Sequence, residues 1–290
     1  MERTILGIDV SKATIDVALL RPNQRAQAAS YHNTPAGFKK LGKWLTKRQA
    51  EQVHVCLEAT GTYGDDVALF LHEAGHTVSV VNPVRIKKYA ESLLQRNKTD
   101  QLDAAIIADF CLKQQPPAWT PPDPAQRELR ALTRHLLALK DMRQQERNRL
   151  QSGITSETVR ETLNAHITFI QHQIDDLEQQ IHDHIDQHPD LKQKHELLDG
   201  IPGIGPLTAA SLLGELPDLS RFDHSGHVVA FAGLNPRQHR SGSSVRGQTR
   251  LSKTGNAILR RVLYFPALSA KKHNPLIAPW CAQLLARGKT

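Results

Sequence analysis

Eleven residues, "QQPPAWTPPDP" (114–124), hold five prolines. Proline fixes φ and removes a backbone donor, so a run this dense forms neither a helix nor a central strand. It divides the 290-residue chain into parts that must each find a core, as a length beyond about 250–300 residues also favours. Residues 116–124 are expected to be a linker, with residues 1–115 before it, a helical segment over 125–195 after it, and a further domain over 196–290.

Before the prolines, β-like and helical patterns alternate. "ILGIDVSKATIDVALL" (5–20) reads as two short strands around a turn at Ser11–Ala13. "HVCLEA" (54–59) and "HTVSVV" (76–81) are two more β-rich runs. "PAGFKKLGKWLTK", "GDDVALFLHEAG" and "NPVRIKKYAESLLQ" read as helices, the second closed by Gly75. "KTDQLDAAIIADFCLK" (98–113) reads as a helix starting at Thr99 or Asp100. Strands alternating with helices argue an α/β domain.

After the prolines the period changes. Leu129, Leu132, Leu136 and Leu139 recur at helical spacing; beyond an interruption near Gly153 so do Leu163, Ile167, Ile170, Ile174, Leu177, Ile181 and Ile185. Such an a/d seam is buried either in an antiparallel helical hairpin or in an intermolecular coiled coil. His166, His172, His182, His184 and His188 flank it and are expected on a solvated face rather than around a metal. "LLDGIPGIGPLTAASLLGEL" (197–216) then reads as a helix, a "PGIG" turn and a helix. This resembles a helix-hairpin-helix, in which backbone N–H groups around Gly203 and Gly205 bind a phosphate without reading sequence. The last 35 residues read as helical, broken at Pro266, Pro275 and Pro279.

Composition narrows the class. No apolar run approaches the ~20 residues that cross a bilayer, and "MERTILGIDVSK" is no signal peptide. Cys56, Cys111 and Cys281 fit neither a disulfide framework nor a zinc spacing. The expectation is a cytoplasmic protein, acting at the nucleoid, with reduced, buried, inert thiols and no membrane partner. Net charge is +8, unevenly placed. From Arg221 to Thr290 twelve Lys/Arg face one acid, Asp223, whereas the remainder holds 25 bases and 28 acids. A region so basic most often faces a polyanion.

The acids that stand out are few. Asp9 interrupts an apolar strand, and Glu58 ends another. A lone buried carboxylate is costly unless paired, hydrogen-bonded or metal-bound. Asp100 and Asp103, three apart at a helix start, project from one face. Four oxygen ligands from three elements suit Mg²⁺ with a substrate phosphate. Two such ions can stabilise both the attacking and the leaving oxygen of a phosphodiester.

The basic region holds the other unusual stretch, "HRSGSSVRGQTRLSKTGN" (239–256). Arg240, Arg246, Arg250 and Lys253 suit phosphate oxygens, and Gly242, Gly247 and Gly255 permit close approach of a backbone. Ser241, Ser243 and Ser244 are candidate phosphate ligands or nucleophiles. A serine needs a base or metal to activate it, and the stretch carries no acid. The residues therefore ask for a composite site, with activation supplied from another domain.

"GIDVSK", "LEATGTYG", "NPVRIKKYAES…RNKTDQLDA", "GIPGIGPLTA", "FAGLNP" and "SGSSVRGQTRLSKTGNAILRRVLY" follow in this order over nearly the whole chain. Together they resemble the DEDD transposases of the bridge-RNA-guided serine recombinase insertion-sequence family. The resemblance implies an α/β RuvC-like domain of RNase H fold over 1–115. A coiled-coil segment for assembly would follow, then a mainly α transposase domain. It implies that Asp9, Glu58, Asp100 and Asp103 form the metal-binding tetrad and that Ser241 becomes joined to a DNA 5′ phosphate, with Ser243 and Ser244 as near alternatives. It also implies Mg²⁺, donor and target DNA, a non-coding bridge RNA, and a homo-oligomer, dimer or tetramer, in which the serine of one subunit meets the acids of another. Members continue past the position of "LLARGK", so a shortened C-terminus is expected here. The rival readings are an RNase H-fold nuclease or junction resolvase using water, a kinase sharing the "GIDVSK" phosphate loop, and a nucleic-acid-binding protein with a decayed site.

Overall fold

The computed structural model describes residues 4–22, 24–59, 63–93, 100–216, 219, 222–237, 240–241, 245–246 and 248–288; the side chains of residues 100–102, 240–241 and 245–246 lie outside that description. The chain forms two compact units that divide between Pro121 and Pro122.

The first unit is a five-stranded mixed sheet with helices on both faces. Its strands are β1 (Ile5–Val10), β2 (Thr14–Leu20), β3 (Gln27–His32), β4 (His54–Glu58) and β5 (Thr77–Val81), in the order β3-β2-β1-β4-β5. β1, β2 and β3 are antiparallel neighbours, while β1, β4 and β5 run parallel. This arrangement of strands is that of an RNase H-like domain. The alternation of β1 divides its side chains between two cores. Leu6, Ile8 and Val10 join Phe38, Leu41 and Leu45 of α1 (Pro35–Lys47) and Val67, Ala68 and Leu71 of α2 (Asp65–Glu73). Ile5 and Cys56 join Ile86 of α3 (Pro83–Ser92) and Ile106, Ile107, Phe110 and Cys111 of α4 (Asp100–Gln114). Two of these helices, α1 and α3, start where a polar side chain meets a proline. Thr34 accepts from Gly37 N at 3.3 Å before Pro35, and Asn82 accepts from Val84 N at 2.9 Å before Pro83. Each pair combines a capping oxygen with a residue that needs no donor at the first helical position.

The proline-rich stretch is held to this unit rather than strung loosely from it. Trp119 N donates to Val78 O at 2.6 Å, and the Trp119 ring packs on the sheet core. Ser79 Oγ, bonded to His54 Nε2 at 2.8 Å, lies 2.8 Å from Pro117 O.

The second unit opens with α5 (Pro124–Gln151) and α6 (Glu157–Asp186), joined by a turn in which Gly153 takes φ +85°. Leu129, Leu136 and Leu139 bury against Ile170, Ile174, Leu177, Ile181 and Ile185. Lys140 Nζ reaches Glu178 at 2.8 Å, and His184 Nε2 meets Ala125 O at 2.8 Å. The apolar seam is thus filled within the chain by an antiparallel helical hairpin. Two short helices, α7 (Pro189–Asp199) and α8 (Pro206–Glu215), follow, and α8 lies across α5. A Cβ on Gly214 would stand 2.9 Å from Arg130 Cα, so glycine permits that close crossing. Residues 125–195 and 196–290 therefore share one compact unit.

Beyond them come α9 (Ser225–Phe231), the short strands β6 (Pro236–Arg237), β7 (Arg240–Ser241), β8 (Val245–Arg246) and β9 (Arg250–Leu251), then α10 (Ala257–Val262), α11 (Tyr264–His273) and α12 (Ile277–Ala286). Two prolines expected as breaks lie inside helices. Pro266 and Pro279 are each the third residue of their helix, where the missing N–H would have no intrahelical acceptor. One expected buried thiol is half-exposed: Cys56 and Cys111 are buried, but Cys281 is not. No described helix is long and apolar enough to cross a membrane.

Candidate functional site

The acids gather at one end of the sheet because β1 and β4 are parallel and in register. Ile8 stands opposite Leu57, and the next position on each strand is Asp9 and Glu58. Alternation turns both away from the Leu6–Ile8 core and toward the face covered by α4. Both are half-buried, and so is Asp103.

Gly7 fixes where α4 sits. A Cβ there would lie 2.2 Å from Ala104 O and 2.4 Å from Ala108 N. The helix backbone therefore rests directly on β1, one residue beyond Asp103 in sequence and two residues before Asp9 on the same strand face. The Asp100 side chain lies outside the described residues, although Asp100 begins α4. Among the described residues no group of three or more His, Cys, Asp or Glu side chains is gathered at metal-binding spacing.

One acid escaped the sequence reading. Asp16 of β2 pairs directly with Asp9 across the antiparallel ladder, so it shares that face. Its position in an alternating strand made it look like an ordinary solvent-side residue. Two carboxylates side by side on neighbouring strands repel unless a cation or a hydrogen-bond donor offsets them. The loops around it are tied by Asn33. Its Nδ2 donates to Ser11 O at 2.9 Å and to Tyr63 O at 3.0 Å, joining the turn after β1 to the segment after β4.

In the second unit, the described residues of the serine-rich stretch and its flanks form two short antiparallel ladders, termed the serine hairpin. The outer ladder pairs Pro236 with Leu251 and Arg237 with Arg250; the inner pairs Arg240 with Arg246 and Ser241 with Val245. Ser241 is thus the last residue of β7 and of the inner ladder. Ser243 and Ser244 lie outside the described residues. In the outer ladder Arg237 stands opposite Arg250, an unfavourable pairing unless an anion lies between them. Arg237, Arg250 and Lys253 are exposed.

The root of this hairpin is well tied. Ser252 N donates to Asn235 O at 2.9 Å, Lys253 N to Gly233 O at 3.1 Å, and Asn256 N to Phe231 O at 2.8 Å. Arg260 Nη1 bridges Ala232 O at 2.9 Å and Gly255 O at 3.1 Å. A Cβ on Gly255 would lie 2.4 Å from Phe231 O, so only glycine lets the two legs approach.

The two expected phosphate-binding glycines differ. Gly203, at φ +106°, packs on α11, where a Cβ would stand 3.1 Å from Ala270 N, and Asn274 Nδ2 holds Pro202 O at 3.2 Å. Gly205, at the N-cap of α8, is exposed with open space beside it. The left-handed conformation of Gly203 thus answers to packing, while Gly205 leaves the first turn of α8 accessible.

Comparison with known proteins identifies the family. Residues 6–157 match the model of the DEDD transposase family of IS110 type, and residues 195–280 match the transposase family IS116/IS110/IS902. The chain is 33% identical over its whole length to a pilin gene-inverting protein of Moraxella bovis, of which it covers 90%. It is 28% identical to the transposase of insertion element IS1328 of Yersinia enterocolitica, over 68% of this chain and 65% of that one. Among solved structures, RuvC of Thermus thermophilus matches over 39% of this chain and 96% of its own at 14% identity, with a TM-score of 0.29. That score is too low to bear on the fold, which rests on the strand order. The chain belongs to the IS110/IS116 family of transposases.

Proposed function

We propose that this transposase breaks and rejoins DNA through a covalent phosphoserine bond at Ser241, with Asp9, Glu58, Asp100 and Asp103 as the metal-binding half of the site. The observation that carries this reading is the serine hairpin. Its outer ladder sets arginine against arginine, in a chain region with almost no acid. A phosphodiester relieves that repulsion and is thereby held near Ser241. The hydroxyl oxygen attacks phosphorus, the Ser–O–P bond forms, and the P–O3′ bond breaks. The serine gives up its proton, and the departing 3′ oxygen takes one up. One phosphodiester replaces another, so the bond energy is conserved for rejoining and no nucleotide cofactor is needed.

The acid edge fits a divalent cation by donor chemistry. Asp9 and Glu58 are neighbours in register, Asp16 adds to the negative field, and Asp103 stands on the helix seated over the same face. Mg²⁺, as one ion or two, would supply Lewis-acid stabilisation of developing charge on the reacting oxygens. Asp9, Glu58, Asp100 and Asp103 would hold it. Arg240, Arg246, Arg250 and Lys253 orient the scissile phosphate, and the exposed Gly205 turn and the neighbouring serines contact the backbone of the same DNA. The acids and the serine belong to different compact units; as the family resemblance implies, the site would be completed on the nucleic acid within a homo-oligomer. Choice of donor and target sequence is delegated to pairing with a non-coding RNA, since phosphate contacts carry no sequence information.

A denaturing gel tests this. The protein, the element's own end as duplex DNA, RNA transcribed from its flank, and Mg²⁺ should give a covalent protein–DNA band. Ser241→Ala should remove that band with DNA binding retained, and Asp9→Asn should reduce it by at least about a hundredfold, the scale of a lost transition-state charge. Cleavage without any covalent band would instead favour a nuclease that uses water.

A further inference from the structure

Glu215, the last residue of α8, is a buried carboxylate that the chemistry above does not use. Its side chain is 1% exposed. Arg134 of α5 grips it from one side, with Nε at 2.5 Å from Oε1 and Nη2 at 2.9 Å from Oε2. From the other side Asn256 Nδ2 donates to Oε2 at 2.6 Å. Asn256 has a second task. Its Oδ1 accepts from Ile258 N at 2.9 Å and Leu259 N at 3.1 Å, capping α10. Its own backbone N–H closes the hairpin root on Phe231 O at 2.8 Å. Each polar atom of the Asn256 amide is thus committed, the oxygen to α10 and the nitrogen to Glu215.

We propose that Glu215 is a positioning residue for strand transfer, fixing the serine hairpin to the α5–α6 helices through Asn256. This rests on the reading of Ser241 as the nucleophile. The physical case is one of contrast. The hairpin has little apolar anchorage of its own: each strand is two residues long, and Pro236, Arg237, Arg250 and Leu251 are all exposed. Near its root a small cluster of Leu212, Ala232 and Leu259 is buried among the described residues, with Leu198, Ile204, Leu216, Leu234 and Leu263 packed half-buried against it. Packing this sparse leaves direction to polar contacts. A buried carboxylate bound to a guanidinium on one helix and to an amide on the hairpin supplies it, because charge-assisted bonds are directional and strong. Arg261 adds a second tie to α5, donating from Nη1 to Asp141 Oδ2 at 2.6 Å. Breaking one bond in such a chain leaves the fold in place and lets the hairpin swing, and misplacement of a nucleophile by about 1 Å costs on the order of a hundredfold in rate.

The test exploits donor–acceptor polarity. Asn256→Asp keeps the cap of α10 but turns the donor facing Glu215 into an acceptor, so two carboxylates meet. Asn256→Ser keeps a capping oxygen and only removes the donor. Glu215→Gln with Asn256→Asp reverses the polarity of the bond and restores it in part. With the full chain, the element's end DNA, its RNA and Mg²⁺, single-turnover adduct formation at saturating DNA should slow about ten- to a hundredfold in Asn256→Asp and about tenfold in Asn256→Ser. DNA affinity should stay within about threefold, the scale of rim-type changes. The double variant should recover at least half of the logarithmic loss of Asn256→Asp. Faster amide exchange at Ser252 and Lys253 should accompany the slow variants. Adduct rates within twofold of the parent in both folded single variants would overturn the proposal, and so would a double variant no faster than Asn256→Asp. Should Asn256→Asp not fold, Asn256→Ser carries the same decision. If Ser241→Ala keeps the covalent band, the nucleophile is misassigned, whereas amide exchange still decides whether Glu215 holds the hairpin.

Discussion

The two regions that the proposed function calls on are built in opposite ways. Asp9 and Glu58 end strands whose neighbours Ile5, Leu6, Ile8, Cys56 and Leu57 are at most 1% exposed, with helices packed on both faces. Ser241 stands on a two-residue ladder whose root is set by backbone hydrogen bonds and a buried carboxylate. In the proposed function the carboxylates would share a cation while repelling one another, which calls for a scaffold that cannot yield. A nucleophile that must meet a phosphate, form a bond and release it needs direction with some freedom. Packing supplies the first and polar ties the second.

Glycine substitutions set this difference against itself. The largest effect is expected from Gly7→Val, whose Cβ would meet the α4 backbone at 2.2 Å. Backbone cannot step aside, so α4 must lift from the sheet at a cost of about 3 kcal/mol or more. Trp44 and Trp119 pack on the core of the opposite face of the same sheet while Trp280 is exposed, so urea unfolding of the unit followed by tryptophan fluorescence reports the change. A midpoint close to the parent's would contradict the tight seat of α4. Gly255→Ala should act locally. Its Cβ would press on Phe231 O at 2.4 Å, opening the hairpin root by about 1–3 kcal/mol and speeding amide exchange at Ser252 and Lys253. The tryptophan transition should not move; an equal shift in both variants would erase the distinction between the two regions.

The smallest effect concerns pH and stays in the first unit. Burial lowers the pKa of His76, whose buried Nδ1 has no hydrogen-bond partner among the described residues. The folded chain refuses a proton that the unfolded chain accepts, so stability is full above the ordinary histidine value of about 6.5 and falls as pH drops below it. His76→Gln should flatten that slope between pH 7 and 5 in the same urea assay. An unchanged slope would assign the acid sensitivity elsewhere.

Much of the first unit was legible in sequence. The strands at 5–10, 14–20, 54–58 and 77–81 follow from apolar runs, and Gly75 ends α2 at φ +85° as expected. β3 was not legible. "QAASYH" has no clear alternation because it is an edge strand, exposed or half-exposed throughout, and only its pairing with β2 makes it β. The pairing of Asp9 with Asp16 was hidden for a similar reason, since register is a property of two strands. In the second unit the heptad spacing showed which residues would be buried but not which chain would bury them. The serine hairpin gave no strand signal, because ladders of two residues have no period to read. Glu215 and Asn256 are 41 residues apart, and neither carries a local pattern that links it to the other.

The central claim is one oxygen atom on one hairpin. Its direct test is to trap the covalent complex formed with the element's end, RNA and Mg²⁺, digest the DNA and protein, and identify the modified peptide by mass spectrometry. The account predicts a 5′-nucleotide remnant esterified to Ser241. A remnant on Ser243 or Ser244 would move the nucleophile along the hairpin, and cleaved DNA with no remnant on any serine would contradict the account.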